Sequence, residues 1–195
     1  MRRTGKLLAG IVLLGACVSE PGTTGAPATT EPRATATVVS GAPLGPNVQK
    51  DLAALRAATA QFHRFAAADD AEYTFLFMNA CMVDESTRQL GGMGYHYVNT
   101  ALLDGTVDVS TPEALMYEPE ANGQLRLVGV EYVIPENEWT STTTKPMLFG
   151  REFTLNPFGL WALHVWAWKD NPSGIFADWN PRVTCEHAAT TAAHR

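Results

Sequence analysis

Four of the five tryptophans fall between Phe158 and Pro181, in the stretch FGLWALHVWAWKDNPSGIFADWNP. Each large aromatic side chain removes about 150–250 Å² from water when it is buried. So much aromatic surface in one short stretch obliges the remaining chain to wrap around it. Within it, Trp161, Leu163, Val165 and Ala167 share one face of an alternating strand, and Ala162, His164, Trp166 and Trp168 share the other. Asn171-Pro172-Ser173-Gly174 follows, with proline and glycine where a type I turn takes them.

The N-terminus has a different character. Arg2, Arg3 and Lys6 precede an apolar run from Leu7 to Leu14, and Gly15-Ala16-Cys17 follows. The run is too short for a bilayer, which takes about 20 apolar residues, and the pattern predicts a targeting segment over residues 1–17. Leu14-Gly15-Ala16-Cys17 resembles the lipobox of bacterial lipoproteins, in which the cysteine is acylated and becomes the mature N-terminus. An ordinary secretory signal with a chance cysteine is the other reading. The expected location is the bacterial cell envelope, with the protein held by lipid at Cys17 on the extracytoplasmic side of a membrane. Loss of residues 1–16 removes Arg2, Arg3 and Lys6 and takes the formal net charge from −6 to −9. Such an acidic chain argues against nucleic acid as a partner and against electrostatic adhesion to anionic lipid. With Cys17 assigned to lipid, Cys81 and Cys185 are the remaining cysteines. In an exported chain they are expected to form a disulfide, the alternatives being free thiols or metal ligands.

Residues 18–46 are Thr-, Pro-, Gly- and Ala-rich and predict a flexible tether, because they carry too little apolar surface to offset ordering. One globular domain is expected over 47–187, and a frayed tail over 188–195. Asn47 is the expected N-cap of a helix running to about Ala68, with Val48, Leu52, Leu55, Thr59, Phe62 and Ala66 as its apolar stripe and His63 beside it. Tyr73–Cys81 is a short apolar segment of either type. Gly91-Gly92-Met93-Gly94 leads into a strand rather than a helix, so it is no phosphate loop and serves a tight turn or a close backbone approach. Asn122-Gly123 predicts a hairpin with a two-residue turn, in which Tyr117 faces Val128 and Leu115 faces Val130. That register puts Leu115, Tyr117, Val128, Val130, Tyr132 and Ile134 on one face, and Ala114, Met116, Leu127, Gly129, Glu131 and Val133 on the other. Residues 135–147 read as a loop and Met147–Phe153 as a short strand. The whole predicts an α+β fold: one N-terminal helix packed on a curved, mainly antiparallel sheet, barrel-like at the limit of its curvature.

The segments GGMGYHYVN (91–99), PEALMYEPEANGQLRLVGVEYVI (112–134), LFGREF (148–153) and LHVWAWKDNPSGIFADWNPRVTC (163–185) together resemble an uncharacterised family of secreted bacterial proteins. The likeness covers residues 48–185 and implies the domain limits and an exported location, but no activity. A His-Tyr-Asp-like triplet often precedes the LHVW segment in that family; Leu160-Trp161-Ala162 stands there in this chain.

Three ionisable residues sit inside apolar strand segments: His96, Glu131 and His164. A buried carboxylate has to be paired, hydrogen-bonded or protonated. Two imidazoles and one carboxylate are a three-ligand set for a divalent metal such as Zn²⁺ or Fe²⁺, with positions left for water or substrate. Three functions follow: a module that binds a small ligand or a divalent metal at this cluster, a metal-dependent enzyme using the same residues, or a structural or interaction lipoprotein whose polar cluster only fixes the fold. In the last case each histidine is hydrogen-bonded in the core and Glu131 pairs with one of them or with an arginine such as Arg126. Nucleophilic catalysis has no support, since no G-x-S-x-G elbow occurs. Asp84, Glu85, Glu118 and Glu120 read as solvated loop or turn carboxylates, and the tryptophans read as core rather than as stacking platforms.

Overall fold

The computed structural model describes residues 44–189. The targeting segment 1–17, acylation at Cys17, the tether as far as residue 43 and the tail beyond residue 189 lie outside them. Among the described residues, no helix is long and apolar enough to cross a membrane.

Helix α1 (Pro46–Thr59) starts one residue ahead of the expected cap: Gly45 is the N-cap and Pro46 enters the first turn, where its missing N–H leaves no bond unmade. Leu52, Leu55 and Thr59 turn inward as the stripe requires. The single helix expected to Ala68 is broken. A 3₁₀ turn (Ala60–His63) follows, Arg64 is extended (φ −92°, ψ 110°), and α2 (Phe65–Asp70) starts afresh. Tyr117 accounts for the break. Its hydroxyl donates to Phe62 O at 2.7 Å, occupying a carbonyl that a continuous helix would offer to Ala66 N. The restart directs Phe65 inward, where its ring meets Tyr97 and Tyr117 edge-on at 4.5 and 5.3 Å, and leaves Ala66 exposed.

The strands are β1 (Phe75–Leu76), β2 (Met82–Val83), β3 (Gly92–Val98), β4 (Ala114–Pro119), β5 (Leu125–Pro135), β6 (Met147–Leu148), β7 (Arg151–Glu152), β8 (Thr154–Leu155) and β9 (Leu160–Val165). The main sheet runs β1-β3-β4-β5-β9-β8, with β2 paired to the start of β3, and every pairing is antiparallel. Its path ends at β1 and β8, which do not pair, so the sheet is open and no barrel forms. The expected strand Met147–Phe153 is instead a small separate hairpin of β6 and β7, turned at Phe149 and Gly150, both at positive φ.

The β4–β5 hairpin holds a register correction. Glu120 N donates to Gln124 O and Gly123 N to Glu120 O, both at 2.9 Å, so the loop has three residues and not two. Gly123 takes the left-handed position (φ 78°) that closes such a loop. Tyr117 therefore faces Leu127, not Val128. A bulge at Val128 restores the phase, and beyond it Leu115 faces Val130 and Ala114 faces Glu131, as the alternation predicts. Leu127 and Val128 consequently exchange faces. The Val128 carbonyl, freed from the ladder, accepts from Trp168 N and Lys169 N at 3.1 and 3.0 Å.

One face of the sheet packs Leu115, Tyr117, Leu127, Val130, Tyr132, Leu163 and Val165 against the helices. The other carries a small core of Met116, Val128, Trp166 and Val183, alongside His96, Glu131 and His164. Strand β9 ends at Val165, and an Ala167 N to Val165 O bond turns the chain. Trp168 is thereby sent to the helix face, against expectation, where its indole N–H donates to Thr59 Oγ1 at 3.1 Å. Exposed His63 packs edge-on against the same indole at 4.4 Å. Glu118, read as solvated, is buried: its carboxylate pairs with Lys169 and accepts from Thr184 N at 3.0 Å. Cys81 and Cys185 are joined as a disulfide.

Candidate metal centre

His96 comes from β3, Glu131 from β5 and His164 from β9. Glu131 and His164 are direct cross-strand partners. Across β4, the residue opposite Glu131 is Ala114. Two strand spacings separate β3 from β5, roughly 9.5 Å. His96 stands opposite Met116 on β4 and Met116 opposite Gly129 on β5, so His96 and Glu131 meet on the diagonal, where Ala114 and Gly129 leave room. Gly94, two residues before His96, adopts φ +85°, and a Cβ there would stand 2.3 Å from Tyr117 O. The glycine run thus serves the close backbone approach expected of it, and it sets β3 tightly against β4 where the histidine projects.

The three side chains converge. His96 Nε2 lies 3.7 Å from Glu131 Oε2, and His164 Nε2 lies 3.4 Å from Glu131 Oε1. The imidazole rings stand edge to face, 5.8 Å between centroids. One ligand atom from each residue can be chosen so that all lie within 4.8 Å of one another. Arg126, the other candidate partner for Glu131, is exposed and stands opposite Glu118 in the hairpin.

Both separations exceed good hydrogen-bond lengths. Among the described residues, His96 Nδ1, His164 Nδ1 and His164 Nε2 are buried without any hydrogen-bond partner. Buried polar side-chain atoms are normally satisfied, so three orphaned imidazole nitrogens in one place call for a partner of another kind. Two ligands each about 2.1 Å from a shared ion, at a tetrahedral angle, stand about 3.4 Å apart, which matches the spacing here better than a hydrogen bond does.

A fourth residue belongs to the group. His164 Nδ1 faces Asp178 Oδ1 at 3.5 Å. The loop carrying Asp178 is fastened on every side: Gly174 N bonds Asn171 O at 2.9 Å, the Trp166 indole N–H donates to Ala177 O at 2.6 Å, Asn171 Nδ2 donates to Trp179 O at 3.0 Å, and Asn180 exchanges backbone bonds with Gly92 at 3.1 and 3.0 Å. The Asn-Pro breaks and tryptophans of this stretch therefore aim one carboxylate at one imidazole.

The electrostatics divide the two histidines. Burial dominates at His96 and pulls it down to about 4; Glu131 opposes this and His164 adds to it. Burial also disfavours charge on His164, but Glu131 and Asp178 together outweigh it and hold this imidazole above its ordinary value. His164 in turn keeps Asp178 below the usual carboxylate range, against partial burial. A neutral His96 beside a carboxylate is in the protonation state that ligates metal.

A cavity of about 210 Å³ opens over the cluster, lined by Phe77, Met82, Met93, Phe158 and Trp179 as well as by the ionisable residues. A larger cleft of about 570 Å³ near His63, Arg64, Tyr95 and His187 contains none of the three ligand candidates. Sequence reasoning found His96, Glu131 and His164 from their place in apolar strands, but missed Asp178, which lies in a loop without periodicity. The signal that could have found it is its position between Ala177 and Trp179, in a loop braced by two Asn-Pro steps. No protein-family model, curated protein or solved structure matches this chain.

Proposed function

We propose that this domain binds a divalent transition-metal ion, Zn²⁺ or Fe²⁺, through His96 Nε2, His164 Nε2 and Glu131, as an exported lipoprotein held by Cys17 at the outer side of a bacterial membrane. The observation that carries the metal reading is the approach of His96 Nε2 and His164 Nε2 to the two oxygens of Glu131 at ligand spacing in a buried site, where His164 Nε2 has no hydrogen-bond partner. Two imidazoles and a carboxylate leave positions free for a further ligand, and the cavity over them gives that ligand access. The same cavity supports a second reading, in which the ion acts as a Lewis acid on a substrate. Asp178 Oδ1 stands 3.5 Å from His164 Nδ1 in either case, placed to favour the tautomer that presents Nε2. The disulfide supports an oxidising, extracytoplasmic location.

Calorimetric titration of chelator-treated protein with Zn²⁺ tests this. We expect one ion per chain, and a loss of at least about 100-fold in affinity for Glu131→Gln, with the metal-free variant no less stable than the parent. A purely structural cluster gives the opposite pair of results: no uptake in the parent, and a loss of about 1–3 kcal/mol of stability in the variant through an unsatisfied partner.

A further inference from the structure

The walls above the cluster say more about the occupant than its floor does. Phe77 and Phe158 pack edge to face at 5.3 Å, and Trp179, Met82 and Met93 join them in the lining. Phe158 is 53% exposed although it sits at the edge of this cavity, an aromatic surface left in water to an extent that, among the described residues, only Phe75 approaches. Asn156 Oδ1 is already engaged, accepting from Phe158 N and Leu160 N at 3.0 and 3.1 Å, which leaves its Nδ2 and the Thr154 hydroxyl as the polar groups of the walls. The walls thus offer dispersion and ring contacts, and little hydrogen bonding.

Size and charge narrow the choice. An apolar cavity of about 150 Å³ admits one benzene ring, and drug-sized ligands occupy roughly 300–1,000 Å³. At about 210 Å³ this space takes one ring with one small substituent. On the floor, Glu131 cancels one of the two charges of a divalent ion and the neutral imidazoles cancel none. One positive charge is left facing an apolar chamber, where uncompensated charge is costly. A single negative oxygen donor completes the balance. A second negative charge would meet the carboxylate of Asp178, which lines the same cavity at its rim.

We infer that the ligand of this site is a single-ring aromatic monoanion, such as a benzoate, which binds the ion through its oxygen and lays its ring against Phe77, Phe158 and Trp179. This rests on the metal reading above. The S–aromatic and ring–ring contacts of Met82, Met93 and the phenylalanines favour an aromatic ring over an aliphatic one of the same size.

The test uses the full chain loaded with Co²⁺, whose visible absorption reports on its ligands, titrated separately with benzoate, acetate, cyclohexanecarboxylate and terephthalate. We expect benzoate to change the Co²⁺ spectrum and to bind at least tenfold more tightly than acetate, with cyclohexanecarboxylate and the dianion terephthalate both weaker than benzoate. Phe158→Ala, at an exposed position, should bring benzoate to the level of acetate while Co²⁺ affinity stays within twofold. Benzoate no tighter than acetate on cobalt-loaded protein overturns the ligand class and leaves the metal site standing. Terephthalate as tight as benzoate overturns the charge argument, and cyclohexanecarboxylate as tight overturns the ring argument. Failure of the parent chain to take up Co²⁺ overturns the metal reading, and this inference with it.

Discussion

Both faces of the sheet hold buried polar groups, and they treat them in opposite ways. On the helix face, three tyrosine hydroxyls are sunk in the core, and each donates to a carbonyl: Tyr73 to Pro112 O at 2.7 Å, Tyr117 to Phe62 O at 2.7 Å and Tyr132 to Val109 O at 2.6 Å. Burial pushes all three hydroxyls up, so they remain protonated donors. On the opposite face, three imidazole nitrogens have no partner among the described residues. A chain able to satisfy three sunken tyrosine hydroxyls on one side has the means to satisfy two histidines on the other. Closed polar networks specify a fold, whereas open ones are the mark of a site that keeps its valences for something else.

The contrast breaks most visibly at Tyr117. Tyr117→Ala removes a fully buried ring together with the bond that ends the first helical segment, and should lower stability by about 3–5 kcal/mol in urea unfolding. Zn²⁺ uptake by the folded fraction should be unchanged; a parallel loss of affinity would mean that the two faces are not independent.

A smaller effect tests whether the helix side is as settled as its tyrosines imply. Glu113 is buried, and burial raises its carboxyl to about 8, against the bond from Val133 N to Oε2 at 2.9 Å and with Asp104 and Glu131 adding to the rise. Its other neighbours, Tyr73 and Tyr132, are neutral donors to carbonyls. An unfolded glutamate titrates near 4.3, so between about 4 and 8 the folded state holds a proton that the unfolded state has lost. The Glu113 contribution is therefore complete below about pH 4 and declines as pH rises to 8, by on the order of 5 kcal/mol. Glu113→Gln keeps an oxygen for Val133 N and should close that gap: variant and parent alike near pH 4, the variant more stable at pH 8.5. Parallel stability curves would show that Glu113 is not held neutral.

The smallest expected effect sharpens the open face. Asp178 is exposed, and among the described residues its carboxylate pairs only with His164. Asp178→Asn should leave unfolding free energy within about 0.5 kcal/mol and weaken Zn²⁺ binding about 10- to 100-fold in calorimetry, as loss of a carboxylate behind a ligating histidine does. A variant that binds Zn²⁺ as the parent does would remove Asp178 from the group.

Much of this was legible in the chain because alternation is a strict code. His96, Glu131 and His164 could be assigned to strands, and Glu131 to its face, since a side chain's face follows from parity once one pairing is right. The hairpin shows how narrow that margin is. The turn was read one residue short, and the bulge at Val128 happened to cancel the error before Glu131, so the faces of Leu127 and Val128 were exchanged while that of Glu131 was not. What local pattern could not show were effects delivered from far along the chain. The helix break depends on a hydroxyl 55 residues away. The turn of Trp168 to the helix face depends on where β9 stops, and the burial of Glu118 on Lys169 and Thr184. Barrel closure failed because the outermost strands are only two residues long, which strand propensity does not foretell. Asp178 was hidden because loops carry no period.

The Cys81–Cys185 bond also has a mechanical meaning. It short-circuits 104 residues, so tension entering at one end of the chain and leaving at the other passes through sulfur and bypasses β2 to β9. About 350 Å of contour length is withdrawn from any stretching event, and a pull can lengthen only what lies outside the closed loop. A domain wired in this way can be tugged by its tails while the segments that carry His96, Glu131, His164 and Asp178 stay out of the line of load.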